Sequence, residues 1–198
     1  MTVTSIHAVG FCAHYSEQGE WAFRRALELA RGRNLQLNIF HFLCDPWDKD
    51  GFMADRLQDE QRRRKMIEGE KKLRLYYDEM LGDYLNVGFR LCEDNGWKEL
   101  HRCICNREFQ VLFLPYPDRE AEFAGRPLTE FAAALACPAA LVGPARPDEV
   151  YLNAPAAFLS EQLQMDDVRW LPLDAGRRIR ENACTVVAHP AHERLDYQ

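Results

Sequence analysis

Gln110-Val-Leu-Phe-Leu114, Leu128-Thr-Glu-Phe-Ala-Ala-Ala-Leu135 and Ala139-Ala-Leu-Val142 are the stretch of this chain on which the fold is decided. The first is a run of apolar, β-favouring residues short enough for a buried strand; the second puts its apolar residues on one face of a helix; the third is another apolar run, entered through Cys137-Pro138. A strand, a helix and a strand in this order require a crossover connection and a parallel pair. Between the first strand and the helix lies Leu114-Pro-Tyr-Pro-Asp-Arg-Glu120, followed by Gly125-Arg126. Two prolines there remove backbone donors and stiffen the chain, the reverse of what a loop needs to curl its N–H groups around an anion.

The same alternation extends towards the N-terminus. Ile6 to Cys12 is a β-rich apolar run, and Trp21, Ala22, Ala26, Leu27, Leu29 and Ala30 recur at helical spacing. Gly32 and Asn34 supply a stop, after which Leu35 to Leu43 reads as a second, central strand. Cys44 to Gly51 is a turn-rich loop. A long helix starts near Ala54; its first half, Gln58 to Lys72, is charged and reads as solvated, while Leu73, Tyr76, Tyr77, Met80, Leu81 and Tyr84 form a packing face in its second half. Val87 to Cys92 reads as a third strand and Trp97 to Cys105 as a short helix. The expected architecture is thus α/β: a doubly wound, Rossmann-like five-stranded parallel sheet flanked by helices. Gly143-Pro-Ala-Arg-Pro-Asp148 is a breaker cluster, which divides the chain into an α/β domain at 1–143 and a C-terminal extension at 144–198. In the extension, Pro155 to Gln164 reads as a helix, and Val168 to Leu173 and Cys184 to Ala188 as apolar, strand-like runs too few for an independent core.

Composition narrows the function classes. The chain has 198 residues, 47% of them hydrophobic, which is enough for one real core. A formal charge of -6 argues against non-specific binding to nucleic acid or acidic lipid. The longest basic run, Arg62-Arg-Arg-Lys65, has acidic neighbours and reads as a solvated helix face. The first residues lack the pattern of a signal peptide and no stretch has the length of a membrane span, so a cytoplasmic protein is expected. Seven cysteines without a framework spacing are expected to be reduced and buried as small hydrophobes.

Three segments, in order and at consistent intervals, resemble the universal stress protein family, a branch of the adenine-nucleotide-binding α/β superfamily. Ser16-Glu17 followed by Ala22-Phe-Arg-Arg-Ala26-Leu-Glu-Leu-Ala30 is similar to the family's opening turn and first helix. Leu37-Asn-Ile-Phe-His41-Phe resembles its second strand, and Ala136-Cys-Pro-Ala-Ala-Leu-Val142 its entry into the fifth. The resemblance covers Ile6 to Gly143. Members that bind ATP carry an aspartate after the first strand, where this chain has His14, and a glycine-rich loop ending in Gly-Ser, where it has Leu114 to Glu120 and then Gly125-Arg126. Loss of two or three charge-assisted hydrogen bonds at about 1.5–3 kcal/mol each weakens binding by roughly two orders of magnitude or more.

The resemblance implies a cleft bounded by His14, Ser16, Cys44, Pro115, Arg119, Gly125 and Arg126, with Arg119 and Arg126 as side-chain substitutes for a backbone phosphate cradle at the helix start. Trp47, Tyr116 and Phe123 would line or fill that cleft. It also implies a non-enzymatic homodimer that pairs Ala139 to Val142 across a two-fold axis, the extension docking on the domain or on the partner, and a possible protein partner. No cofactor is expected, with ATP or AMP as the alternative. No metal is expected either: on a helix, Cys103 and Cys105 of His101-Arg-Cys-Ile-Cys105 point about 200° apart, and Cys184, His189 and His192 match no established spacing. No nucleophile elbow or catalytic triad is present.

Overall fold

The computed structural model describes residues 6–42, 46–47, 59–92, 97–162 and 168–171. Their elements are β1 (Ala8–Cys12), α1 (Glu17–Arg33), β2 (Gln36–Phe42), α2 (Asp59–Leu81), β3 (Val87–Cys92), α3 (Lys98–Cys105), β4 (Val111–Pro115), β5 (Glu122–Phe123), β6 (Arg126–Pro127), α4 (Leu128–Ala134), β7 (Ala139–Val142), β8 (Val150–Leu152), α5 (Ala157–Gln162) and β9 (Val168–Trp170). The expected start of the long helix near Ala54 and the run Cys184 to Ala188 lie outside the described residues.

One sheet of seven strands in the order β3-β2-β1-β4-β7-β8-β9 organises the molecule, and β5 and β6 form a separate two-stranded hairpin. The five strands read from the sequence are parallel to one another. β1, β4 and β7 carry continuous apolar runs because both their faces are covered. Alternate residues go to opposite layers: Val9, Phe11, Val111, Phe113, Ala140 and Val142 face α1 and the second half of α2, where Phe23, Ala26, Leu73 and Tyr77 meet them. Ala8, Cys12, Leu112, Leu114, Ala139 and Leu141 face α3 and α4, through Leu100, Cys103 and Phe131. Buried Leu73, Tyr77 and Leu81 confirm the packing face expected for α2, and the described side chains from Glu60 to Lys65 are exposed.

The sheet does not end at its fifth strand. β8 pairs antiparallel with β7, Ala140 opposite Leu152 and Val142 opposite Val150, and β9 then adds parallel to β8. The Gly143 to Asp148 breaker cluster is therefore the turn between two hydrogen-bonded strands of one sheet. This corrects the dimer expectation. Ala139 to Val142 is fully buried, with β4 on one side and β8 of the same chain on the other, so it offers no edge to a second subunit. The sequence missed β8 because three residues, Val-Tyr-Leu, are too few to show a period.

Candidate functional site

In an open α/β sheet, the crevice that takes a ligand opens beyond the carboxyl ends of the strands, where strand order reverses. Here that point lies between β1 and β4. The chain leaves β1 through Ala13 and His14 and leaves β4 through Tyr116 and Pro117. Ser16 caps α1, its Oγ accepting from the Gly19 amide at 3.0 Å, and His14 Nδ1 lies 2.8 Å from the same Oγ. The hydroxyl thus satisfies one of the helix amides that could otherwise face an anion. Gln18, in the first turn of α1, reaches the segment after β7, its Nε2 donating to the Pro144 carbonyl at 3.1 Å. Gly143 is held at φ +116°, and a Cβ there would stand 2.6 Å from the Tyr116 carbonyl oxygen, so the exits of β4 and β7 are in close contact.

Aromatic rings occupy the wall beneath α4. Phe123 is fully buried and packs on Trp47, Phe42 and Phe131 with ring centroids at 4.7, 5.8 and 4.4 Å. Trp47 continues to His14 at 5.0 Å, so the aromatic layer joins the residues that follow β1 to the hairpin that precedes α4. The Ala124 amide donates to the Pro46 carbonyl at 2.8 Å, fixing that hairpin against the loop after β2. Of the three aromatic residues read as lining the cleft, Phe123 is buried completely, Tyr116 is buried and packs on Tyr151, and Trp47 is half-buried.

The predicted site residues are only partly brought together. His14 and Ser16 touch. Pro115 is not a loop residue but the buried last residue of β4, paired with Val142. Arg119 is exposed, and its carbonyl accepts from the Tyr116 hydroxyl at 3.4 Å. Gly125 and Arg126 are not at a helix start, which corrects the idea of a cation seated there. Ala124 and Gly125, with φ +52° and +74°, make the two-residue turn of the β5–β6 hairpin; Arg126 lies on its second strand, and α4 starts at Leu128 behind Pro127. Both Gly125 and Arg126 are exposed. Cys44 lies outside the described residues.

The cysteines resolve into two kinds. Cys12, Cys92, Cys103 and Cys137 are free and buried, as small hydrophobes are. Cys12, at the end of β1, has its thiol pushed up by burial and further by Cys92 and Cys137, which keeps it protonated and unreactive. Cys105 differs from these in being half-buried on α3, with Sγ 3.7 Å from His101 Nε2. Cys184, His189 and His192 lie outside the described residues.

Sequence reading missed a polar cluster at the start of β8. Glu149 is 2% exposed; its Oε1 accepts from the Tyr151 hydroxyl at 2.8 Å and from Arg169 Nη1 at 2.5 Å, and its Oε2 from the Ala145 amide at 3.3 Å. Burial pushes its carboxyl up, but the Tyr151 and Ala145 bonds and the Arg169 charge outweigh this and hold it below the usual carboxylate range. A lowered folded pKa means that the contribution to stability is complete above the unfolded value of about 4.3 and is lost as the pH falls through the folded value. Glu149→Gln is therefore expected to destabilise the protein at neutral pH, and the gap in melting temperature from wild type should narrow below about pH 4. A gap constant with pH would show that the carboxylate charge is not what holds β9.

No family model matches the chain, and no curated protein does. Solved structures do. The chain is similar to universal stress proteins. One, from the universal stress protein family of Burkholderia pseudomallei, shares 20% identity over 68% of this chain and 94% of its own, with a TM-score of 0.46. The universal stress protein of Archaeoglobus fulgidus shares 16% identity over 55% of this chain and 73% of its own, with a TM-score of 0.40. A universal stress protein in complex with cAMP shares 18% identity over 55% of this chain and 75% of its own, with a TM-score of 0.30. Among the described residues, no helix is long and apolar enough to cross a membrane.

Proposed function

We propose that this chain is a universal-stress-protein-like cytoplasmic protein without enzymatic activity, working by association with itself or with another protein, its nucleotide cleft closed by its own side chains. The observation that carries the reading is Phe123, wholly buried against Trp47, Phe42 and Phe131 beside the point where strand order reverses. Three further features support it. Gln18 ties the start of α1 to the Pro144 carbonyl after β7, and Pro117, in the loop after β4, lacks the backbone donor that a phosphate cradle uses. His14 stands where nucleotide-binding relatives carry an aspartate, and its ring is engaged with Ser16 and Trp47.

Melting the protein in millimolar ATP, AMP or cAMP tests this directly. No shift is expected. A nucleotide present at a hundred times its dissociation constant would stabilise the fold by about 2.7 kcal/mol, or roughly 5–10 °C for a chain of this size. A shift of that order would replace this reading with one of a nucleotide-binding protein.

A further inference from the structure

The side of α2 that faces away from the sheet carries two large apolar residues. Ile67 and Leu75 are 63% and 67% exposed, while Leu73, Tyr77 and Leu81 on the same helix are buried against the sheet. At 100° per residue, Ile67 and Leu75 lie 40° to either side of Lys71, and Arg64 and Asp78 lie 20° to either side of it. One outward stripe therefore reads Arg64, Ile67, Lys71, Leu75, Asp78, with Arg63 and Glu79 on its margins. An open hollow of about 430 Å³, lined by Glu68, Lys71, Lys72, Leu75 and Tyr76, borders the stripe on the Leu75 side.

The stripe is symmetric under reversal about Lys71. Turning a second helix end for end about that residue brings Ile67 level with Leu75 and Arg64 level with Asp78 near the centre of the seam, each pair occurring twice. Within the stripe the cation Arg64 precedes Lys71 and the anion Asp78 follows it, so a parallel copy would set like charges together, whereas an antiparallel copy pairs Arg64 with Asp78. A surface that complements itself only when rotated by a half-turn is what a two-fold dimer requires. We propose that a second copy of this chain docks here, α2 packing antiparallel on α2 about an axis through Lys71, with the Lys71 stems lying over the apolar residues and their charges directed to solvent. This inference rests on the reading of the protein as one that works by association, and supplies the surface that β7 does not.

Charge exchange on the full-length protein tests it. Sedimentation velocity across the micromolar range is expected to find a dimer. Arg64→Asp sets two pairs of like charges together and should weaken the dimer by about tenfold or more. Arg64→Asp combined with Asp78→Arg restores both pairs, and should recover most of the affinity. All these side chains are exposed, so the melting temperature of the monomer should hold in every variant. A wild-type protein that stays monomeric would overturn the proposal. So would a wild-type dimer indifferent to R64D, or an R64D defect not rescued by D78R. A dimer indifferent to R64D would leave the association reading standing and remove only this surface, and none of these outcomes bears on whether the nucleotide cleft is closed.

Discussion

Phe123→Ala is expected to cost about 3–5 kcal/mol of stability, read from urea or thermal unfolding. The ring is wholly buried and touches Phe42, Trp47 and Phe131, so its removal loses its transfer free energy and leaves a hole that the aromatic neighbours refill only in part. Phe123 sits on a two-residue strand whose partner strand leads directly into α4, and the adjacent Ala124 amide is bonded to Pro46. Loss of the ring should therefore loosen the loop after β2 and the start of α4 together, visible as faster amide exchange at Ala124 and Leu128. Phe123→Leu, which keeps much of the volume, should cost markedly less. If Phe123→Ala loses under about 1 kcal/mol, the ring does not fill the cleft, and the case for a closed nucleotide site fails with it.

Asn153→Ala is expected to destabilise by about 2–4 kcal/mol, because it leaves several buried backbone groups without partners. The residue is completely buried. Its Oδ1 accepts from the Ala139 amide at 2.9 Å, and its Nδ2 donates to the carbonyls of Cys137 at 2.9 Å and Ala132 at 3.1 Å. Its own amide donates to the Ala139 carbonyl at 3.1 Å. One side chain thus joins the end of β8 to the end of α4 and the start of β7. Asn153→Asp keeps the acceptor but turns a carboxylate oxygen towards carbonyls, and should be at least as damaging. The measurement is a denaturant titration of the two variants, with amide exchange at Val150 to Leu152 reporting whether β8 opens first. A cost below about 0.5 kcal/mol would show that β8 is not anchored through Asn153.

Five strands and four helices could be read from the chain because each leaves a local trace. Ala8 to Cys12, Val111 to Pro115 and Ala139 to Val142 are buried on both faces, so their residues are apolar without interruption. α1 and the second half of α2 show helical spacing because one face is buried and the other is wet. The site was harder to read. His14, Ser16 and the loss of glycines after β4 were visible as residue types, but whether Gly125-Arg126 opens a helix or turns a hairpin depends on two successive positive φ values that no spacing discloses. Glu149, Tyr151, Asn153 and Arg169 gave no signal because their contacts depend on how β8 folds back on β7 and on β9, which no local period discloses.

By itself, then, the sequence determined the doubly wound parallel core and the absence of a glycine-rich phosphate loop, since hydrophobic period and backbone chemistry are local properties. Only the tertiary structure decided what the core does at its edges. It placed Val150 to Leu152 on the outer side of β7, which removed that strand as a dimer edge, and it brought Phe123 from a hairpin into the layer formed by Phe42, Trp47 and Phe131. Strand pairing and ring packing join residues far apart in the chain, and their choice depends on which surfaces the folded core leaves uncovered.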